Sequence, residues 1–259
     1  MGSACTPSNN ILVLILSCEK TRDRREACLE TWLRHIPPGI IYKFVIGRPG
    51  KAAVTADDYL YVDAPDTYLG LPEKVWQMCQ QALMHWDFEW LFKTDDDSFV
   101  NLLRVWEYPK SRDYMGRKIT LTQGAYEWHR KVVPGKEMVG LDDNGKIPAA
   151  EVERMDKLAA LPNPTRHATS WASGMGYFLS RNAVRKVAQE PYLHVQKELY
   201  EDRMVGCIMA SWGIYLHGQH QTLRYANEGI YGATAIHPCL PDRMREVYWQ
   251  LLRAGEMET

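Results

Sequence analysis

The run Ile-Leu-Val-Leu-Ile-Leu at residues 11–16 constrains the chain more than any other feature. Six apolar residues without polar alternation make a strand that is covered on both faces. Such a strand needs helices above and below, and the next segments supply them. Residues 22–36 carry Cys28, Leu29, Trp32 and Ile36 at helical spacing until Pro37, Pro38 and Gly39 stop the helix. Residues 41–46 read as a second buried strand closed by Gly47, and Tyr59–Val62 as a shorter third. Pro72 opens a helix with Val75, Cys79, Leu83 and Trp86 on one face. Residues 90–92 form a strand that runs straight into Thr94-Asp95-Asp96-Asp97. This β-α-β-α-β order predicts an α/β fold with a mostly parallel central sheet flanked by helices. Ligands are then expected at the carboxyl ends of the strands.

The middle of the chain reads differently. Residues 124–166 hold many charges, Gly135, Gly140, Gly145 and four prolines, with a short helical piece at 149–161. A long irregular stretch inside a compact domain suits a flap over a cleft. Regular structure resumes with a strand at 176–179, and Ser180 then caps a helix through Val184 and Val187. Residues 201–212 form an amphipathic helix with Gly213 as its stop. Residues 242–252 place Met244, Val247, Tyr248 and Leu251 at helical spacing. The expectation is a flexible N-terminus over 1–10 and a single domain over 11–259.

Composition removes several function classes. Lysine plus arginine number 31 against 32 acidic residues, so no basic face recommends nucleic acid or an anionic membrane as partner. The longest apolar run falls well short of the ~20 residues that cross a bilayer. Six cysteines (Cys5, Cys18, Cys28, Cys79, Cys207, Cys239) include no close pair of metal-ligand spacing, which argues against zinc. Asn163 is spoiled as a glycosylation acceptor by Pro164, and no other Asn-x-Ser/Thr occurs. Together these point to a reducing compartment. Nine tryptophans and fourteen tyrosines suit a large core and a cleft that stacks on flat ligands.

Asp95-Asp96-Asp97 is the sharpest chemical feature. Adjacent carboxylates repel, and at the mouth of a buried strand they cost stability unless a cation compensates. Hard divalent ions take oxygen ligands and bridge carboxylates to phosphates. A solvated acidic turn is the competing reading, but the triplet sits between apolar Trp90-Leu91-Phe92 and Ser98-Phe99-Val100. Glu201 and Asp202 open a helix, where the dipole alone favours acids. The same position suits a carboxylate that removes a proton from an incoming hydroxyl. His237 precedes Pro238; an imidazole there is either packed or a ligand for manganese and similar ions. The stretch from Ala172 to Gly176 is either a tight turn or a place where a ligand approaches the backbone closely. Walker-type, Gly-x-Ser-x-Gly and Gly-x-Gly-x-x-Gly motifs are missing, which disfavours ATP phosphoryl transfer and NAD-dependent hydride transfer.

In combination these pieces resemble the fringe and β-1,3-galactosyltransferase family. The resemblance rests on Arg24-Arg25-Glu26-Ala27-Cys28-Leu29-Glu30-Thr31-Trp32, Phe44-Val45-Ile46-Gly47 and Asp66-Thr67-Tyr68-Leu69-Gly70-Leu71-Pro72-Glu73-Lys74. It continues through Phe92-Lys93-Thr94-Asp95-Asp96-Asp97-Ser98-Phe99-Val100-Asn101, the stretch from Ala172 to Ser180, and Glu201-Asp202-Arg203-Met204-Val205-Gly206. His237-Pro238 and Pro241-Asp242-Arg243-Met244 complete it, in the family's order over nearly the whole chain. One departure stands out: Cys28 and Leu29 replace an Ile-Arg pair, so a diphosphate contact is either absent or supplied by Arg24 or Arg25.

The resemblance implies an inverting, metal-dependent glycosyltransferase on a single GT-A-like domain. Its nucleotide-binding half would span about 11–101, and its acceptor and catalytic half about 102–259. Asp97 and His237 would ligate Mn²⁺ or Mg²⁺, Asp95 would sit toward the ribose, and Asp202 would be the catalytic base. Ser17, Arg24, Arg25, Lys74, Asp96, Ser173 and Gly174 complete the donor side. Trp128, Trp171 and Glu201 are expected on the acceptor side, with Tyr126 in the flap. The partners implied are a UDP-sugar (galactose, N-acetylglucosamine or xylose) and a hydroxyl of a glycan or glycoside. A non-catalytic glycan- or nucleotide-binding module on the same fold is the alternative, and a phosphohydrolase using the triplet lacks a second metal site. The missing anchor and sequon favour a soluble, cytoplasmic version of microbial or viral origin over a lumenal catalytic domain.

Overall fold

The computed structural model describes residues 10–108, 110–120, 153, 170–198, 200–218 and 222–257. Cys5, Tyr126, Trp128, the flap and its helical piece (Glu153 apart), and the N-terminus lie outside the described residues.

Strand β1 (Ile11–Leu16) is buried along its full length. Its odd residues, Ile11, Val13 and Ile15, join a core with Trp32, Phe44 and Met244. Its even residues, Leu12, Leu14 and Leu16, join a second core with Val75, Met78 and Met204. Each such side chain stabilises the fold by roughly 1.5–3 kcal/mol. Two cores on opposite faces require helices on both. Helices α1 (Arg22–Glu30) and α7 (Pro241–Arg253) cover the first face. Helices α2 (Leu71–His85), α4 (Arg181–Ala188) and α6 (Glu201–Ser211) cover the second.

Strands β2 (Ile40–Gly47), β3 (Val54–Ala56), β4 (Tyr59–Val62), β5 (Trp90–Asp95), β7 (Tyr114–Thr120) and β8 (Ser170–Ser180) complete a seven-stranded sheet of order β3-β4-β2-β1-β5-β8-β7. The centre, β4-β2-β1-β5, is parallel as expected; β3 and β8 run antiparallel to it, and β7 pairs antiparallel with β8. A small second sheet joins β6 (Phe99–Val100), β10 (Ala235–His237) and β9 (Leu223–Tyr225). The remaining short helices are α3 (Leu102–Glu107) and α5 (Tyr192–Val195).

Two elements differ from expectation for identifiable reasons. Helix α1 ends at Glu30 rather than continuing to residue 36. The Thr31 hydroxyl donates back to the Ala27 carbonyl at 2.5 Å, and the chain leaves the helix axis to drive Trp32 fully inside. Strand β8 begins at Ser170 rather than 176, so Ala172, Ser173 and Gly174 are strand and not turn. Their small size serves close packing between strands. A Cβ on Gly176 would stand 2.8 Å from the Phe92 ring, and β7 pairs with Ala172 and Ser170 directly.

The other end of β8 meets α6 through glycine. A Cβ at Gly206 would fall inside the van der Waals shell of Trp171 Cβ. Gly206→Ala is therefore expected to destabilise the protein by about 1–3 kcal/mol. That overpacking cost outweighs the gain of about 1 kcal/mol from alanine's better helix propensity. A fall in the urea midpoint at unchanged slope measures it; an unchanged or raised midpoint contradicts it.

Candidate active site

The site lies where β5 ends. β5 carries Lys93 and Asp95 on one face, two residues apart, and Ser98 donates its N–H to the Asp95 carbonyl in the turn that follows. β6 then pairs antiparallel with β10, Phe99 opposite Ile236, which brings His237 back beside the turn. The Cys239 N–H donates to the Asp97 carbonyl at 2.6 Å and fixes the approach. His237 Nδ1 stands 3.2 Å from Asp97 Oδ1 and 3.3 Å from Ser98 Oγ. One ligand atom from each of Asp95, Asp97 and His237 lies within 4.8 Å of the others.

The carboxylates of the triplet do not share one environment. Asp96 turns away from the cluster and accepts from Ser17 Oγ at 2.7 Å and Thr21 Oγ1 at 2.5 Å. Burial pushes its pKa up to about 6, partly offset by those hydroxyls. Arg24 reaches over from α1, 3.3 Å from Asp97 Oδ2 and 3.6 Å from Asp96 Oδ1. Burial alone would raise the Asp97 carboxyl, but His237 and Arg24 hold it below the usual range. Burial likewise lowers the His237 imidazole, and Asp97 reverses this to a net upward shift.

On the other side of Asp95 stands a fully buried lysine. Lys93 Nζ donates to Asp95 Oδ1 at 2.7 Å, Glu201 Oε1 at 2.5 Å and the Gly174 carbonyl at 2.8 Å. Glu201 accepts from Tyr177 OH at 2.9 Å through its other oxygen. Burial raises its carboxyl to about 7, with Lys93 pulling the other way. A Cβ on Gly174 would come within 3.0 Å of Glu201 Oε1 and 3.4 Å of Lys93 Nζ, so glycine is what lets this network close.

Asp202, next along α6, is half-buried and accepts from the Arg203 N–H at 2.7 Å. Burial raises its carboxyl, tempered by the charge of Lys93 and by Trp171. Tyr68, whose phenol burial and the Asp202 charge push upward, borders the same carboxylate.

The expected site residues thus divide. Arg24, Asp95, Asp97 and His237 converge, Asp202 borders Asp95, and Ser173 and Gly174 lie on the adjacent strand. Arg25, Lys74 and Glu201 turn inward instead. Arg25 donates to Ser17 Oγ at 2.9 Å and to the Cys18 carbonyl. Lys74 donates to the Ser17 carbonyl at 2.8 Å and Asp66 Oδ1 at 2.6 Å, and Asp66 in turn accepts from the Gly47 and Glu19 N–H groups. Glu201 is engaged at both oxygens, so its charge faces the core rather than an acceptor. Trp171 is buried beside α6. Tyr68, Lys93 and Tyr177 were not singled out from sequence. A lysine inside an otherwise apolar strand was the available signal, since lysine is almost never fully buried unless paired.

The donor set suits a hard divalent ion. Asp97 Oδ1 is buried and receives no well-directed hydrogen bond, the state of an oxygen that a cation would satisfy. Asp95, Asp96, Asp97, Glu201 and Asp202 bring five carboxylates against Arg24 and Lys93, an imbalance that a bound cation reduces. Cys18, Cys28, Cys79, Cys207 and Cys239 are all buried and free. Among the described residues, no helix is long and apolar enough to cross a membrane.

The family model described as galactosyltransferase matches residues 23–220. Beta-1,3-galactosyltransferase 6 of Mus musculus is 26% identical over 269 residues, covering 95% of this chain and 75% of the mouse protein. Probable beta-1,3-galactosyltransferase 13 of Arabidopsis thaliana is 26% identical over 172 residues, 56% of this chain and 50% of the plant protein. The crystal structure of galactosyltransferase LgtC with donor and acceptor sugar analogues superposes with a TM-score of 0.45 at 9% identity, covering 96% of both chains. Animal and plant relatives give no support to the expected microbial or viral origin or to a cytoplasmic setting. Since the family match runs over most of the chain and includes the acidic turn and the start of α6, this chain belongs to the galactosyltransferase family.

Proposed function

We propose that this chain is an inverting, metal-dependent glycosyltransferase that moves a sugar from a UDP-sugar to a hydroxyl of a glycan or glycoside, forming a β-linkage. The observation that carries the reading is the convergence of Asp95, Asp97 and His237 beside the helix start that bears Asp202. A divalent ion bound by the trio, Mn²⁺ or Mg²⁺, supplies Lewis-acid stabilisation of the departing diphosphate.

The chain's own residues do the rest. Arg24, held against Asp96 and Asp97, adds fixed positive charge on the phosphate side, where a forked guanidinium fits phosphate oxygens. Ser173 and Gly174 lie on β8 beyond the last residue paired with β5, on the side assigned to the donor. Asp202 takes the acceptor proton as the new bond forms; burial raises its carboxyl above the usual range and makes it the stronger base. Tyr68 and Trp171 crowd that carboxylate and limit competing water. A single base facing the leaving group gives inversion and needs no covalent intermediate. The names of the relatives favour galactose as the sugar, with N-acetylglucosamine and xylose as the other candidates.

Thermal denaturation with UDP-galactose, UDP-N-acetylglucosamine and UDP-xylose, each with Mn²⁺ or Mg²⁺, tests the reading. The right donor at a hundred times its Kd should stabilise the fold by about 2.7 kcal/mol. EDTA should remove that gain. No metal-dependent shift with any of the three would sink the proposal.

A further inference from the structure

The geometry points to Lys93 as a positioning residue that ties the metal ligand Asp95 to the helix carrying the catalytic base, so that cation site and base are set by one buried ammonium. This rests on the function proposed above and extends it to a residue that touches neither donor nor acceptor.

Lys93 has no exposed surface, and its three donors are distributed over three elements: Asp95 on its own strand, Glu201 at the first turn of α6, and the Gly174 carbonyl on β8. It holds one oxygen of Asp95 and leaves the other to a cation. Glu201 and Asp202 are consecutive on α6, so fixing Glu201 fixes the rotation of the first turn and hence the direction in which Asp202 points. The N-cap of α6, Tyr200, makes no side-chain capping bond, and within the first turn Asp202 accepts from the Arg203 N–H while Glu201 is held by Lys93. Tyr177 OH closes the network from behind, 2.9 Å from Glu201 Oε2. Lys93 sits between the two groups whose spacing the reaction needs.

The charge-balanced double variant Lys93→Met with Glu201→Gln removes one positive and one negative charge together. The net charge around the cation site is thereby unchanged, so a lower Mn²⁺ affinity does not come from added positive charge. Calorimetry of Mn²⁺ in the presence of UDP, together with the rate of UDP release from UDP-galactose, is measured on wild type and variant. The variant should lose about tenfold in Mn²⁺ affinity and at least about tenfold in kcat, with KM for UDP-galactose nearly unchanged. A folded double variant that matches wild type in both readouts overturns the inference. Should the double variant not fold, Glu201→Gln alone carries the test, because Lys93 and Asp95 stay paired while the hold on α6 weakens. It should keep wild-type Mn²⁺ affinity and lose kcat; an unchanged kcat overturns the inference. A wild type that binds neither Mn²⁺ nor UDP overturns the proposed function, and this inference with it. A wild type that does both, beside a variant identical to it, overturns this inference alone.

Discussion

Asp97→Ala is expected to leave a folded protein that no longer binds UDP in a metal-dependent way and transfers sugar at least about a thousandfold more slowly. The fold survives because the Asp97 backbone carbonyl, which accepts from the Cys239 N–H just past β10, is untouched by the substitution, and only the side-chain contacts to His237 and Arg24 are lost. Arg24 keeps a partner in Asp96 at 3.6 Å, so no buried cation is orphaned. Asp97 also presses the Asp96 carboxyl upward, and removing it relieves part of that repulsion. Stability without ligand should therefore remain within about 1 kcal/mol of wild type. The catalytic loss is of a different size. Lewis-acid neutralisation of a leaving diphosphate is worth several kcal/mol, and each 1.36 kcal/mol is a factor of ten in rate. Denaturation with Mn²⁺ and UDP separates the two effects: wild type gains stability, and the variant should gain none. A variant that keeps both its Mn²⁺-dependent shift and its transfer rate removes Asp97 from the site.

The same residues show what a sequence can and cannot disclose. β1 was legible because a run of six apolar residues admits one environment, burial on both faces. The acidic turn was legible because it follows directly on a strand. What joins the turn to the rest was not, since sequence spacing is blind to partners far along the chain. His237 meets Ser98 across 139 positions and Lys93 meets Glu201 across 108. On sequence alone His237 read as either packed or a metal ligand, and the resemblance implied the ligand role; for the second, a lysine in an apolar strand signalled a buried charge but not its partner. Glu201 is the instructive case. Its place in a helix's first turn and the family resemblance put it on the acceptor side, yet the buried ammonium of Lys93, shared with Asp95 and the Gly174 carbonyl, draws it inward. Arg25 and Lys74 are likewise engaged inside the fold, Arg25 by the Cys18 carbonyl seven residues away, and Lys74 by Asp66 eight residues away and the Ser17 carbonyl 57 away. The short α1 and the long β8 were set by close packing around Trp32 and Gly176, again a tertiary effect that overrides propensity.

Asp202→Asn should do the opposite of Asp97→Ala, sparing nucleotide binding and removing chemistry. Asparagine has the same shape and can still accept from the Arg203 N–H, so the first turn of α6 keeps that contact. The lost charge at a helix N-terminus is worth only about 0.3–1 kcal/mol, and relief from burying a carboxylate beside Asp95 and Glu201 offsets it. Mn²⁺ and UDP should then bind within a fewfold of wild type, because Asp95, Asp97, His237 and Arg24 are unchanged. Transfer requires the acceptor hydroxyl to lose its proton as the bond forms, and an amide cannot take it. A positioned base contributes about 10²–10⁴-fold, so kcat should fall by that factor with little change in KM for the donor. Parallel calorimetry with UDP and a transfer assay on one preparation decide the matter. Full transfer by Asp202→Asn would mean that another group takes the proton. Joint loss of UDP binding and transfer would place Asp202 in the donor site rather than opposite it.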